Sequence, residues 1–530
     1  MSHDFVARLE EWKSRFGGGN PEDLHRLLHE APTHELHDSD SLIRLHECLL
    51  FLRAYPADAE VMRLAEAALS ACARRIAASP DPAPFEDSEV SGIAGTSFSA
   101  VFSYDVARAL AAHYPRHIEI DWENYDSLDK LGPVLRRLVP LVNEDWPVEA
   151  HVPFRAWVDA VRPPNRSALQ WLLESIAELP LGPREQADLY DSLALLLVWK
   201  IGNAPAGRTR MRLPVRKPFF HTGPLIARRD VSLAAELEAP PLPVTRLSRP
   251  AAVRILDRIL DNSAMRYREL YGFTHPDPAH VYRADAGRGV TIVFFGIPRE
   301  WRLPLRAYHA GMFFKNGVPA GYVEVLSLCE RAEVGFNLYY TFREGESAWI
   351  YARLLRLFRQ MLGVTCFSVD PYQAGYQNDE AIQSGAFWFY RKLGFRPLDP
   401  AAARLSAREE NRMRRTPGYR SSPQTLAKLG DSYLLYECGD AHRGDWDRFR
   451  IRNLALRCAT ERAAGELLRR MQRNKNGPEE FHYLRLTQRN ASLRAAIIEL
   501  GSSQAPKKMR RGETPAHCKV ADFLFTDRRR

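Results

Sequence analysis

Several short segments of this chain hold side chains at spacings that chemistry can use. His25 and His29 stand four residues apart on an expected helix, with His34, His37 and His46 near them. That spacing can put two imidazoles on one metal ion. His29-Glu-Ala-Pro-Thr-His34 is, however, one residue too long for the HExxH pattern, and Pro32 interrupts the helix, so solvated histidines are expected and no metal. Gly92-Ile-Ala-Gly95-Thr-Ser97 can cradle a phosphate but lacks the Gly-Lys-Ser/Thr ending of a P-loop, and reads as a tight turn with a Ser/Thr cap. Thr341-x-x-Glu344 has the form of a capping box opening a helix. Glu324 lies inside an apolar strand pattern and Glu333 opens the next one. A carboxylate on a strand ordinarily faces solvent. Phe387, Trp388 and Phe389 form an aromatic run of the kind that usually packs a core.

The elements that must carry these residues follow from periodicity. Residues 1–78 read as a helical region, with stripes at Leu24, Leu27, Leu28 and at Leu42, Leu45, Leu49 and Leu52. Ser79-Pro-Asp-Pro-Ala-Pro84 reads as a linker. A second mostly helical region is expected over 85–238, with helices near 99–113, 131–143, 167–178 and 184–201, the last including a buried run from Leu193 to Trp199. Pro240-Pro-Leu-Pro243 reads as another linker. The grammar then changes: a helix over Ala251–Tyr271 and strands at Val290–Phe295, Ala310–Lys315, Gly321–Leu328 and Val334–Thr341. Lys315-Asn-Gly317 marks a hairpin, because Asn-Gly accepts positive φ at both central positions. A helix over Glu344–Leu362, a strand over Val364–Val369, a long loop Pro371–Gln383 and a helix Ala386–Leu393 stopping at Gly394 complete the region 250–400. Residues 401–530 read as a basic, mainly helical region with helices near 402–414 and 445–472.

The chain has 530 residues, too many for one ordinary core, and 45% apolar with 26% charged residues is globular composition. No apolar run approaches a membrane span, and the first residues lack the apolar stretch of a signal peptide. Seven scattered cysteines with no CxxC read as thiols of a reducing, cytoplasmic protein. The net charge is +9, yet residues 401–530 alone carry 28 Lys/Arg against 15 Asp/Glu. The basic clusters are Arg412, Arg414, Arg415 and Arg420; Arg469, Arg470, Arg473 and Lys475; Lys507, Lys508, Arg510 and Arg511; and Arg528–Arg530. They can engage nucleic-acid phosphates or form a solvated face.

Gly385-Ala-Phe-Trp-Phe-Tyr-Arg-Lys-Leu-Gly-Phe395 resembles the last conserved helix of the GNAT superfamily of N-acetyltransferases, roughly N-x-x-A-x-x-F-Y-x-K-x-G-F. Ala386, Phe389, Tyr390, Lys392, Gly394 and Phe395 match, while Gln383 stands at the Asn position. The resemblance covers residues 250–400 and implies a mixed sheet flanked by helices, an α+β multidomain architecture overall. It also implies an activity: transfer of an acyl group from acetyl-CoA, or another acyl-CoA, to an amine by direct attack, without metal. Tyr390 would then be the general acid toward the departing thiolate, a phenol with a pKa near ~10 being able to donate while uncharged. Glu324 or Glu333 would be the base, and the turn Arg343-Glu-Gly345-Glu-Ser347-Ala348 the pyrophosphate cradle at a helix N-terminus. The turn departs from the family's Q/R-x-x-G-x-G/A at Glu346, and Glu344 and Glu346 would repel an anion unless cations such as Arg343 and Arg353 offset them. The acceptor amine is not specified. The alternative is a degenerate GNAT-like scaffold that has lost CoA and binds an acidic partner or nucleic acid through residues 401–530.

Overall fold

The computed structural model of the protein describes residues 2–14, 21–36, 38–79, 81–87, 89–145, 152–266 and 269–502. Lys507, Lys508, Arg510, Arg511 and the rest of the terminal basic segment lie outside the described residues.

Four helices open the chain: Ser2–Ser14, Pro21–Glu30, Ser39–Ala54 and Ala59–Ala77. Asp38 and Asp58 cap the last two, each accepting a backbone N–H three residues on. Leu24, Leu28, Leu45, Leu49 and Leu69 form their shared core. The expected linker after residue 78 is structured instead: Ala83–Glu86 is a short 3₁₀ turn that buries Phe85. The region 85–238 is also not purely helical. It contains a three-stranded antiparallel sheet of β1 (Ser97–Val101), β2 (Ile118–Ile120) and β3 (Leu196–Lys200), in the order β1-β3-β2. The Leu193–Trp199 run, expected as helix, supplies the central strand. The preceding helix ends at Asp191, Ala194 takes φ +47°, and Leu197 and Trp199 then alternate inward. β1 likewise replaces the first turn of the helix expected from residue 99, which runs instead over Tyr104–His113. The Gly92–Ser97 turn therefore leads into a strand, and no helix N-terminus is there to hold a phosphate.

The second sheet positions the motifs. Its strands are β4 (Val244–Arg246), β5 (Val281–Gly287), β6 (Val290–Gly296), β7 (Ala307–Lys315), β8 (Val318–Leu328), β9 (Arg331–Leu338), β10 (Cys366–Val369), β11 (Arg396–Pro397) and β12 (Leu434–Glu437). They lie in the order β11-β12-β10-β9-β8-β7-β6-β5-β4. Asn316 and Gly317 turn β7 into β8 with φ +46° and +81°, as the Asn-Gly dipeptide requires. β4 falls in the expected linker and β12 beyond residue 400, so the sheet crosses both ends of the region 250–400. Hydrogen bonding at its edges recruits strands too short to announce themselves by alternation. The helix expected over Ala251–Tyr271 is Arg249–Ala264, followed by one turn at Tyr271–Thr274.

Neighbouring strands are antiparallel except β9 and β10, which run parallel and pair only over Arg331–Glu333 and Cys366–Ser368. β9 continues to Leu338 bonded to β8 alone, and β10 ends at Val369. The two strands thus part after three residues. One face of the sheet is covered by the helix Ser347–Leu362, through Phe358 on Phe294 and Tyr351 on Phe336, and by the helix Glu480–Arg489, through Phe481 on His309. The other is covered by the Tyr271–Thr274 turn, whose Phe273 meets Tyr322. The N-terminal helices join this core rather than standing apart: Leu50, Phe51, Ala54 and Tyr55 pack within it, and Asn316 donates to the Ala54 carbonyl at 2.8 Å. No described helix is long and apolar enough to cross a membrane.

Candidate functional site

The parting of β9 from β10 leaves a cleft of about 210 Å³ that opens to solvent. β9 supplies one wall with Phe336, Asn337 and Leu338; the two short helices after β10, Pro371–Ala374 and Asp379–Ser384, supply Gln373, the N-cap Asn378 and Glu380; the helix Ala386–Lys392 supplies Phe389 and Tyr390; and Arg343 and Ser347 close one end. Backbone groups alternate along a strand, so those that would continue the ladder to β10 face the cleft instead. The Phe336 N–H finds Gln373 Oε1 at 3.4 Å, and the Tyr390 hydroxyl donates to the same oxygen at 3.5 Å. Gln373 therefore stands in for the missing strand.

Tyr390 is 3% exposed and packs against Tyr351 and Phe395. Burial raises its pKa well above the ordinary phenol value, so the hydroxyl holds its proton at neutral pH. Gly394, at φ +104°, ends this helical segment as the sequence requires. Phe387 and Trp388 are core, while Phe389 is half-buried on the cleft wall.

The turn before the helix Ser347–Leu362 differs from a capping box. Tyr340–Phe342 is a 3₁₀ turn, and the N-cap of the helix is Glu346, whose side chain makes no cap bond. Thr341 instead donates to Glu47 of the helix Ser39–Ala54. The first amides of this sixteen-residue helix thus have no side-chain cap. Glu346 is turned inward, fully buried, and bonded to Arg288 Nε at 2.9 Å and Lys315 Nζ at 3.1 Å. Those two cations hold its pKa below the usual carboxylate value despite burial. Glu344 points to solvent and pairs with Lys13 at 2.9 Å. Neither acid occupies the cleft. Arg353, expected to offset them, is engaged elsewhere, with Glu236 at 3.3 Å. Arg343 lines the cleft and pairs with Glu380 across it. Gly345 is required by proximity: a Cβ there would meet Tyr55 Oη at 2.5 Å and the Phe342 carbonyl at 3.0 Å. Ser347 lines the cleft, and Ala348 is buried behind it.

The structure does not bring Glu324 or Glu333 to the cleft lining. Glu324 is 2% exposed on the opposite face of β8, accepting from Tyr308, and its other oxygen has no partner among the described residues. Burial with no opposing cation raises its pKa far above the carboxylate range, so it carries its proton and is poorly suited to accept another. The solvated strand face expected for it is instead packed under Tyr308. Glu333 pairs with Arg306 at 3.1 Å in a recess shared with Tyr433 and Phe449. Its charge, after burial, helps raise the neighbouring Asp370 to about 6. Lys475, placed by sequence among the basic clusters, is buried and donates to the Arg306 carbonyl, while Arg469 and Arg473 share Glu466.

Gln373 and Glu380 escape motif reading because the segment Pro371–Gln383, expected as a long loop, folds into two helical turns, Pro371–Ala374 and Asp379–Ser384, too short to show a period.

Comparison of the chain with protein-family models, with curated proteins and with solved structures returned no match.

Proposed function

We propose that the protein is an acyl-CoA-dependent N-acyltransferase of GNAT-like construction, moving an acyl group, in the first instance acetyl, to an amine. The observation that carries this reading is the three-residue β9–β10 pairing that opens into a cleft lined by Tyr390 and by the N-terminus of the helix Ser347–Leu362. A parted parallel pair offers strand-like hydrogen bonds to an amide-bearing arm, and uncapped helix amides offer an anion site at its end.

The residues fit acetyl-CoA on one further ground. Glu346, the departure from the family's glycine, is neutralised internally by Arg288 and Lys315. The backbone of Gly345–Ala348 and the Arg343 guanidinium would hold the pyrophosphate, and the freed edge of β9 the pantetheine arm. Acetyl-CoA supplies an activated acyl group. Tyr390 keeps a proton on Oη, and its long 3.5 Å bond to Gln373 leaves that proton free to turn to an anionic leaving sulfur. The acceptor's ammonium proton passes to water at the open mouth, where Glu380 is the carboxylate of the lining. Glu324, already protonated, is assigned no proton-accepting step.

A second reading, a scaffold that no longer uses CoA, draws support from the pairing of the Arg343 guanidinium with Glu380 and from the remoteness of Glu324 and Glu333. Calorimetric titration with acetyl-CoA and with CoA separates the two. Saturable micromolar binding supports the transferase. No binding at millimolar CoA by the folded protein overturns it in favour of the scaffold.

A further inference from the structure

The helix Pro400–Arg415 carries a row of arginines on its outer side. Arg404, Arg408, Arg412 and Arg415 follow at i, i+4, i+8 and i+11, so they share one face. The buried residues of the helix, Ala402, Ser406 and Glu409, lie on the other. Beyond the first turn its exposed residues are five arginines, Ala407 and Asn411. Like charges at this spacing weaken a helix.

The acids that could neutralise the row are engaged elsewhere. Glu409 is 2% exposed and accepts from Ser421 Oγ at 2.7 Å, Tyr419 Oη at 2.9 Å and Arg412 Nη1 at 3.3 Å. Glu410 pairs with Arg391 of the helix Ala386–Lys392 at 2.8 Å. Asp399 caps the helix start through the Ala401 and Ala402 amides. Among the described residues Arg404, Arg408 and Arg415 have no ion-pair partner, and Arg412 meets only Glu409.

The positive surface continues past the helix. Tyr419 bonds to both Glu409 and Arg412 and so brings Arg420 to the end of the row. Trp388 Nε1 donates to Ser421 Oγ at 3.2 Å, which ties this loop to the helix Ala386–Lys392, and Lys392 stands one turn on from Trp388. Burial, then Arg228 and Arg420, lower the pKa of Lys392; burial and Arg420 lower that of Arg228. These cations act on one another with no carboxylate opposing them.

The row from Arg404 to Arg415 is about 16 Å long. Over that length one strand of a nucleic acid carries about five phosphates. The face has no apolar centre, because Leu405 and Met413 are turned in against the core. A protein partner is met by an apolar core inside a polar rim, whereas a phosphate backbone asks only for spaced donors of positive charge. Phosphates reach such a row from solvent, so no cavity has to admit them.

We propose that the helix Pro400–Arg415, with Arg420 at its end, is a docking surface for the phosphate backbone of a nucleic acid, bound without regard to base sequence. Nothing in this surface depends on CoA, so it stands or falls apart from the transferase reading.

The test uses the full chain and a labelled single-stranded RNA of about 20 nucleotides, with anisotropy read between about 50 and 300 mM KCl. Saturable binding is expected, with log Kd rising against log salt at a slope of about 3 or more. The variant Arg404→Gln/Arg408→Gln/Arg415→Gln is expected to melt no lower than the parent, because it removes like-charge neighbours. It should bind about ten-fold or more weakly near 100 mM salt, with a slope flatter by about 2. The control, Arg469→Gln/Arg470→Gln/Arg473→Gln, removes the same charge from another exposed helix, where Glu466 already pairs with Arg469 and Arg473. It is expected to bind within about three-fold of the parent. Equal losses in the two variants mean attraction by net charge alone and overturn the site, as does a parent that binds no RNA at the lowest salt. If the first variant does not fold, Arg408→Gln takes its place: a slope flatter by about 0.7 supports the site and an unchanged slope overturns it. Poly-glutamate that displaces the probe as well as unlabelled RNA does moves the surface to an acidic protein and overturns the nucleic-acid assignment.

Discussion

Glu346 and Lys315 form an ion pair of 3.1 Å in which neither side chain reaches solvent. The acid that by sequence should repel a phosphate at the helix start is thereby withdrawn from the cleft, and it ties the start of the helix Ser347–Leu362 to the end of β7. Removing one partner of such a pair leaves the other buried and uncompensated. Glu346→Gln strands both Lys315 and Arg288 and is expected to cost about 3–5 kcal/mol in urea unfolding. Lys315→Met leaves Glu346 with Arg288 and should cost clearly less. Equal losses would mean that Arg288 contributes nothing to holding Glu346.

Tyr390 contributes one polar contact through its hydroxyl, the 3.5 Å approach to Gln373, and the rest of the ring is core. Tyr390→Phe should therefore fold and melt like the parent and bind acetyl-CoA within about two-fold. Acyl transfer should fall by about 10²-fold or more, the usual yield of a positioned general acid. Loss of melting temperature and affinity together would assign the residue to packing.

Arg343 and Glu380 form a partly exposed pair at the cleft mouth. A polyanion must compete with Glu380 for that guanidinium. Glu380→Gln is expected to tighten CoA binding a few-fold, and Arg343→Ala to weaken it by about ten-fold, both effects shrinking as salt rises. CoA titration at two ionic strengths measures this; tighter binding in Arg343→Ala would rule out the pyrophosphate assignment.

His113 donates through Nδ1–H to Asp261 at 2.8 Å, which also accepts from the Tyr114 hydroxyl at 2.9 Å, with Asp257 4.0 Å from the other ring nitrogen. The hydrogen bond to Asp261 raises the histidine pKa above 6.5, against the opposing effect of burial. A raised folded-state pKa contributes stability that is complete below 6.5 and disappears as pH climbs through the folded value. The gap in melting temperature between the parent and His113→Asn should be widest below pH 6.5 and narrow above it. A gap that widens toward alkaline pH would reverse the sign of the linkage.

The strands that carry the site were legible because each declared itself locally. Val290–Phe295 alternates or runs apolar, Asn316-Gly317 fixes its turn by conformation, and Gly394 ends a helix that positive φ alone can end. The Leu193–Trp199 run misled for the converse reason. A short apolar stretch has no period long enough to separate a buried helix from a central strand, and here pairing with β1 and β2 decided. Thr341-x-x-Glu344 matched a capping box by spacing, yet a buried glutamate 294 residues earlier in the chain claimed the threonine.

The sequence by itself determined local features of this protein: the Asn316-Gly317 turn, the apolar strands on either side of it, and that Tyr390 ends an aromatic run on a helix. Only the tertiary structure decided what those side chains face. It parted β9 from β10, turned Glu346 inward onto Lys315, and sent Glu324 to the covered face where it keeps its proton. Backbone preference acts over a few residues and is written in the local pattern. The sign and reach of a charge depend on burial and on partners from distant segments, which assembly of the whole chain supplies.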